Sequence, residues 1–340
     1  MKRIINLFIW VGVLSCVAQA GADNVPGYRI KVGSSPVVSS AGIFLAQEKG
    51  YFKAQGLEVD ITYFKNSGAP MTALLGNGNL DVGAGNISAG LWSAIGAGLD
   101  IKLVADKGLV TQDCDYIGLL VRRDHIESKR YATLRDLKGF KMGVTALGVS
   151  QQIAADKFLR SAGLNLADVV FEKMDYAAMN MALQNKELDA TVQLEPYLTQ
   201  AELQRIAVKV AGVNAVYPRQ QSAAILYASK FITEHPDLAE KFMVAYLQGV
   251  RDYNDAFIRG KDKANTIAML KKYVKVESDE LWNKMMPAGL DPDGLLNMAS
   301  LLEDVQWYRE HGFIDAVPDV QKAVDTKFVE KAVAYLGTYK

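Results

Sequence analysis

Glycine, asparagine and serine residues follow a short predicted strand at residues 80–82 and lead directly into a predicted helix. Gly85 and Asn86 permit the close-approach backbone of a sharp corner. Ser88, after Ile87, is placed to cap the helix, so the free N–H groups of its first turn should point out of the corner. Such a helix start can hold a small anionic or polar ligand.

Two further helix starts carry the same residue types. Ser39 and Ser40 precede one predicted helix, and Gly148, Val149 and Ser150 precede another. For any single serine, capping the helix is as good an explanation as contact with a ligand. We expect the three starts to face one cleft, because open α/β sheets bind ligands at the carboxyl ends of their strands.

Glu195 directly follows a predicted apolar strand, where a role on the solvated surface is less natural. Two roles remain open for its carboxylate. It can accept hydrogen bonds from a ligand, or it can cap a neighbouring loop, as buried carboxylates often do.

No catalytic or metal site is predicted. His125, His235 and His311 lie in polar or helical surface contexts, and no Ser–His–Asp or His–Cys set is present. No carboxylate–imidazole cluster has the spacing of metal ligands. We therefore expect no metal and no cofactor.

A glycine pattern at residues 83–88 partly imitates a dinucleotide fingerprint, with Asp106 near the place of a ribose-binding acid. Ser88 replaces the third glycine, however, and the pattern follows the third strand of its unit rather than the first. A dinucleotide-binding oxidoreductase is therefore a weaker alternative.

The predicted elements occur twice. Residues 73–81 recur as residues 182–189, and the aspartates that close the two copies are 108 residues apart. The strand, turn and helix at residues 29–57 likewise correspond to residues 140–164. Chance matching of common Leu-Asp pairs is the alternative, but the length of the ordered match favours two similar α/β lobes.

Two apolar strands, predicted at residues 113–121 and 222–227, would carry the chain from the first lobe to the second and back. From residue 235 onward the pattern is helical, with an apolar side chain every three to four residues. The predicted domains are a first lobe at residues 28–115 plus 222–340, which includes the helical tail, and a second lobe at residues 116–221.

The chain is 340 residues long and carries 38 basic and 38 acidic residues. A balanced charge of this kind gives no bulk field that would favour nucleic acid. The N-terminus has two basic residues, an apolar run at residues 4–14 and small residues up to Ala20. This pattern predicts a secretory signal at residues 1–20 and a periplasmic protein. Lipid attachment at Cys16 is the alternative to cleavage after Ala20.

The chain resembles the solute-binding components of ABC importers of the alkanesulfonate, taurine, nitrate and thiamine-precursor type. The matching stretches are residues 44–52 with 56–57, 78–83, 134–139, 158–164 and 195–197. The resemblance implies a two-lobed α/β fold of the second periplasmic-binding-protein type, with ligand held between the lobes. It also implies a monomer that delivers its ligand to an ABC permease in the inner membrane.

The family usually places tryptophan before the Glu-Pro pair, where this chain has Leu194. The resemblance therefore leaves one aromatic wall to be supplied by Tyr197, Tyr176 or Tyr217. Helix N-termini favour a sulfonate, carboxylate or nitrate. No arginine lies in the candidate loops and Glu195 would oppose an anion, so a taurine-like zwitterion or a pyrimidine remains equally open. A pyrimidine-precursor synthase of the related fold is the enzymatic alternative.

Overall fold

The computed structural model describes residues 28–65 and 68–340. The predicted signal segment, with Cys16 and Ala20, lies outside the described residues. The strands are β1 (Arg29–Ser34), β2 (Glu58–Tyr63), β3 (Val82–Asn86), β4 (Ile101–Leu109), β5 (Ile117–Arg122), β6 (Lys141–Val144), β7 (Val170–Lys173), β8 (Ala190–Leu194), β9 (Ala207–Gly212) and β10 (Gln221–Ala228). The α-helices are α1 (Ala41–Glu48), α2 (Tyr51–Ala54), α3 (Ala69–Gly76), α4 (Ala89–Gly96), α5 (Arg123–Glu127), α6 (Ser150–Ser161), α7 (Tyr176–Gln184), α8 (Tyr197–Leu203), α9 (Ser229–Glu234), α10 (Pro236–Phe257), α11 (Lys263–Val274), α12 (Asp279–Lys284), α13 (Met298–Glu310), α14 (Val320–Ala323) and α15 (Lys327–Leu336).

The strands form two five-stranded sheets with the orders β2-β1-β3-β10-β4 and β7-β6-β8-β5-β9. Each sheet has parallel strands at one side and one antiparallel strand in the fourth place, β10 in the first sheet and β5 in the second. The chain therefore crosses to the second sheet between β4 and β5 and returns between β9 and β10. This arrangement confirms the prediction of two similar α/β lobes joined by two crossovers. We call the bodies around the two sheets the first and the second lobe.

The repeated Leu-Asp pair has the same structural role in both lobes. The carboxylate of Asp81 accepts a hydrogen bond from the backbone N–H of Lys31 at 2.8 Å, and that of Asp189 accepts one from Lys141 at 3.0 Å. Each aspartate also donates its own N–H to the carbonyl of the same lysine, at 2.9 Å in both lobes. The two aspartates thus fix the parallel pairs β1–β3 and β6–β8 in register, which is why the pattern recurs in the sequence.

The first crossing strand is shorter than predicted. β5 begins at Ile117, because residues 110–116 form a loop. Thr111 and Cys114 exchange backbone hydrogen bonds across a tight turn, at 3.4 and 3.2 Å. The carboxylate of Asp115 accepts a hydrogen bond from the N–H of Asn214 at 3.0 Å, which holds the loop against the second lobe.

The helical tail is confirmed, with two differences from the predicted elements. The helix predicted at residues 320–335 is two helices, because Val324 leaves helical geometry to bridge Leu103 of β4. Helix α12 was not predicted. The tail packs on the first lobe through α10 and α1, and its helix α13 also contacts both α4 of the first lobe and α6 of the second. Within the described residues, no helix combines the length and the apolarity needed to cross a bilayer.

Candidate ligand-binding site

A small cavity lies between the lobes, at the ends of β1 and β3 on one side and of β8 on the other. Its volume is about 20 Å³. A cavity of this size holds about one water molecule, so the lobes are closed on each other in this structure. The lining residues are Ser35, Val37, Ser39, Asn86, Tyr116, Ile117, Ser150, Gln151, Tyr176, Leu194, Ser222 and Ala223.

Three of the predicted site residues line this cavity, one from each predicted helix start. Ser39 contributes from the first start, Asn86 from the second and Ser150 from the third. The Asn86 amide donates to the hydroxyl of Tyr176 in the opposite lobe at 3.4 Å. Ser150 donates its hydroxyl to the carbonyl of Ser222 at 3.3 Å, again across the lobes. The structure therefore brings the three predicted helix starts to one interlobe site.

The other predicted residues of the second and third starts pair with each other instead. Ser88 and Val149 form an isolated antiparallel bridge between the lobes. The N–H of Ala89 donates to the carbonyl of Gly148 at 2.7 Å, and the N–H of Ser150 donates to the carbonyl of Ile87 at 3.3 Å. These backbone groups hold the lobes together beside the cavity rather than lining it.

Ser88, Gly85 and Gly148, at the second and third predicted starts, have local structural roles. Ser88 caps α4 by accepting a hydrogen bond from the N–H of Leu91 at 3.2 Å. The prediction of a corner at Gly85 and Asn86 is wrong, because β3 extends through both residues and Gly85 pairs with Ala224 inside the first sheet. Gly148 has a φ of +68°, and a Cβ there would lie 3.0 Å from Ala89, so this position favours glycine for conformation and for space.

Ser40 is fully buried at the start of α1 and does not cap the helix through its side chain. Its hydroxyl has no hydrogen-bond partner within residues 28–65 and 68–340. Ser40 is not among the lining residues of the cavity, whereas its neighbour Ser39 is.

Glu195 is buried and is not among the lining residues. Its carboxylate accepts hydrogen bonds from the N–H and the hydroxyl of Thr199, at 3.1 and 2.8 Å, and from the N–H of Met286 at 3.3 Å. Burial raises the pKa of this carboxyl, and the hydrogen bonds from Thr199 oppose that rise. This geometry favours the second of the two roles left open by the sequence, in which Glu195 caps α8 and ties it to the helical tail.

Of the three tyrosines that could supply the aromatic wall, Tyr176 is the one that lines the cavity. Its ring lines the cavity, and burial raises the pKa of its hydroxyl to about 12, so it is neutral at physiological pH. Tyr197 stacks on Tyr176 with ring centroids 5.7 Å apart and an interplanar angle of 14°. Tyr217 points elsewhere and donates its hydroxyl to Asp304 at 2.7 Å. Leu194 lines the cavity at the position where the resemblance implies tryptophan.

The sequence did not identify the pair Tyr116 and Ser222, whose hydroxyl oxygens are 2.7 Å apart in the cavity wall. Gly108 makes room for this pair, because a Cβ there would lie 2.6 Å from the tyrosine oxygen and 2.9 Å from the serine oxygen. Gln151, which follows Ser150 at the third predicted helix start, lines the cavity as well, and so does Ser35, which was not predicted. Polar residues next to strand ends were the available signal, but many such positions in the chain lie outside the site.

The sequence also did not single out Lys107, a charged residue in the otherwise mostly apolar strand β4. Lys107 is 1% exposed, and its ammonium donates to the Ser39 hydroxyl at 3.1 Å. Burial lowers the pKa of Lys107 to about 8, and the neighbouring Asp106 opposes that fall. The side chain therefore remains mostly protonated at neutral pH, directly behind the cavity wall.

Cys114 and His125, whose side chains could take part in catalysis, are both buried. Cys114 is buried, and burial raises the pKa of its thiol, which disfavours the reactive thiolate. His125 contacts the carboxylate of Asp189 at 2.6 Å, in the turn that orders the second sheet. Within the described part of the chain, no group of three or more His, Cys, Asp or Glu residues is placed to hold a metal ion.

The two sheets, the two crossovers and the cavity between the lobes define a two-lobed binding-protein fold of the second periplasmic type. A sequence profile of the NMT1-like family matches residues 23–269, so the chain belongs to the NMT1-like family. A Brucella abortus protein that carries the general name of a binding protein is 27% identical over 286 residues, which are 83% of this chain and 82% of that protein.

Two other comparisons bear on the fold and on the enzymatic alternative. The alkanesulfonate-binding protein SsuA of Xanthomonas axonopodis pv. citri, bound to MOPS, superposes with a TM-score of 0.71 at 17% identity. The superposition covers 88% of this chain and 98% of SsuA, and it confirms the fold. The 4-amino-5-hydroxymethyl-2-methylpyrimidine phosphate synthase of Schizosaccharomyces pombe is 25% identical over 218 residues, 60% of this chain and 58% of the synthase.

Proposed function

We propose that this protein is the solute-binding component of an ABC importer. It holds one small organic molecule between its lobes and delivers that molecule to a permease in the inner membrane. The ligand is a sulfonate, a taurine-like zwitterion, a nitrate-like anion or a pyrimidine.

The main support for this proposal is the cavity between the lobes. Polar side chains from both lobes line it at the ends of their strands, among them Asn86 of the first lobe and Ser150 and Tyr176 of the second. Open α/β sheets bind ligands at this location. Contacts that one ligand makes with both lobes couple its binding to closure of the cleft.

The second candidate function is that of a pyrimidine-precursor synthase, which the similarity to the Schizosaccharomyces pombe enzyme supports. The buried Cys114 and the structural role of His125 favour binding over chemistry. Mass spectrometry of gently purified protein would identify a bound molecule. Prolonged incubation with that molecule should return it unchanged in chromatography, at one molecule per chain. A conversion product that depends on the folded protein would replace the binding proposal with the enzymatic one.

The proposed place of action is the periplasm. Intact-mass measurement of protein from the envelope fraction should find a chain that starts at Gly21, or at a lipidated Cys16. An unprocessed chain confined to the cytoplasm would contradict this part of the proposal.

A further inference from the structure

Lys107 is a buried cation without a carboxylate partner. Its ammonium donates to the Ser39 hydroxyl, and among residues 28–65 and 68–340 it forms no salt bridge within 4.0 Å. Taking an ammonium out of water costs several kcal/mol, so such a group is normally paired or serves a function. Ser39 lines the interlobe cavity, which places the charge one hydroxyl away from it.

A β-bulge gives Lys107 this position. Asp106 and Gly108 pair with Ala224 and Ala223, which are consecutive in β10, so Lys107 is the extra residue on β4. Bulges re-aim side chains and are frequent beside functional sites. The neighbouring acid does not neutralise Lys107 directly, because the Asp106 carboxylate accepts hydrogen bonds from Gln221 at 2.5 Å and from the N–H groups of Gly108 and Asp291 at 2.9 and 2.7 Å.

Two serines from the segment between β1 and α1 line the cavity, and Lys107 lies behind one of them. Ser35 is 3% exposed, lines the cavity and has a hydroxyl without a hydrogen-bond partner among the described residues. Ser39 can turn its own proton toward the cavity while it accepts from Lys107. Two hydroxyl donors that line the cavity, with a cation directly behind one of them, are suited to the oxygens of an anion.

We propose that Lys107, with the hydroxyls of Ser35 and Ser39, is the anion-recognition group of this site, and that the ligand carries one oxyanion group, a sulfonate or a carboxylate. The inference rests on the proposed function, since it names the charged end of the molecule held between the lobes. A neutral ligand would leave the buried ammonium with the through-space attraction of Asp106 but with no anion close to it when the cleft closes.

The experiment uses protein that has been unfolded in guanidinium and refolded to remove any bound molecule. Calorimetric titrants are ethanesulfonate and propionate, with ethyl methyl sulfone and propionamide as their uncharged counterparts. The variants are Lys107→Met, which keeps the side-chain length, and Lys230→Met, which removes an exposed lysine of α9 as the matched control.

Wild-type protein should bind at least one anion more tightly than its uncharged counterpart. Lys107→Met should weaken that binding by about tenfold or more, as expected for loss of a charged hydrogen bond. Lys230→Met should bind like wild type. Comparison of sulfonate with carboxylate then identifies the oxyanion.

The melting temperature distinguishes anion recognition by Lys107 from a purely structural role of this residue. Lys107→Met should raise the melting temperature of the ligand-free protein, because an apolar side chain replaces a buried unpaired charge. A lysine that merely orders Ser39 would lower it. Equal anion affinity in Lys107→Met and wild type, no anion binding, or a preference for the uncharged compounds would each overturn the inference. Binding of uncharged compounds alone would still leave the proposed function standing, whereas turnover would not.

Discussion

Two buried charged residues, Lys107 and Glu195, differ in what surrounds the charge. The carboxylate of Glu195 accepts three hydrogen bonds, two from Thr199 and one from Met286. The ammonium of Lys107 donates to one serine that lines the cavity. A charge that is saturated by its own fold contributes to stability, and a charge held next to a cavity is available to a ligand.

Glu195→Gln tests this distinction. The amide group cannot accept at both positions where the carboxylate does, so at least one buried N–H or O–H donor loses its partner. We expect the free energy of unfolding to fall by about 1–3 kcal/mol and the affinity for the co-purified ligand to stay unchanged. Denaturant unfolding and calorimetry measure the two quantities, with the exposed Glu187→Gln as control. A changed affinity at unchanged stability would instead make Glu195 a ligand contact.

Asp304 of α13 is a third buried titratable residue, and its pKa lies within the pH range in which the stability of the protein can be measured. It is fully buried, and one of its oxygens accepts a hydrogen bond from Tyr217 at 2.7 Å. The other oxygen has no partner within the described part of the chain. Burial raises the pKa of Asp304 to about 8, so folding favours the protonated acid.

The stability of the protein should therefore depend on pH through this residue. Because the folded-state pKa is raised, the contribution of Asp304 is complete below about pH 4 and declines as the pH rises toward about 8. The free energy of unfolding of Asp304→Asn, measured in urea between pH 4.5 and 8.5, should fall less over this range than that of wild type. The exposed Glu277→Gln should follow wild type. Parallel curves for wild type and Asp304→Asn would contradict the assignment.

At the scale of elements, the starts of α4 and α6 meet across the lobe interface. The N–H of Ser150, at the first position of α6, donates to the carbonyl of Ile87 rather than to solvent or ligand. Val149 before it is extended, with φ −114° and ψ 161°, which is the conformation that precedes proline readily. A proline at position 150 can therefore remove the hydrogen bond from the Ser150 N–H to the Ile87 carbonyl without breaking the helix.

Ser150→Pro should loosen the closed state more than Ser150→Ala does. Alanine removes only the hydroxyl contact with Ser222, whereas proline also removes the N–H that reaches Ile87. Each lost hydrogen bond is worth about 0.5–1.5 kcal/mol. Small-angle X-ray scattering of the ligand-free variants should give a larger radius of gyration for proline than for alanine, with equal helix content by circular dichroism. Identical scattering would show that this bond does not hold the lobes closed.

The elements that follow from local pattern were predicted, and those that depend on distant partners were not. The Leu-Asp repeat was visible because Asp81 and Asp189 perform the same local task in each lobe. The position of Lys107 was not visible, because it depends on a register shift between β4 and β10, which are far apart in the sequence. The bridge between Ser88 and Val149 likewise forms only when the lobes meet.

At the scale of the whole molecule, the cavity is smaller than the proposed ligand. About 20 Å³ accommodates roughly one water, so a sulfonate or a pyrimidine requires the lobes to separate. Helix α13 spans the two lobes and links to the second through Trp307, whose indole donates to Asp156 at 2.8 Å. Opening must therefore break contacts of the tail as well as those beside the cavity.

The binding site, like the fold, could be predicted from the sequence only in part. The equivalence of the two lobes predicted that the helix starts at Ser39 and Ser40, Asn86 and Ser150 would meet; Ser39, Asn86 and Ser150 line the cavity, whereas Ser40 does not. The type of ligand was left open because Glu195 was weighed as a charge facing the cleft and Lys107 was not weighed. Burial and hydrogen-bond partners, which only the folded chain defines, remove Glu195 from the cavity lining and place Lys107 behind it.

If one ligand is held by both lobes at once, a substitution in either lobe should weaken its binding. Calorimetric titration of the co-purified compound into Asn86→Ala and Ser150→Ala, one variant from each lobe, measures this effect. Each variant should lose about 0.5–1.5 kcal/mol of binding free energy, and more if the contact is with a charged group of the ligand. The controls Asn283→Ala and Ser93→Ala, at exposed positions of α12 and α4, should bind as wild type does. Unchanged affinity in either variant would contradict a ligand held by both lobes, and unchanged affinity in both would place the ligand elsewhere.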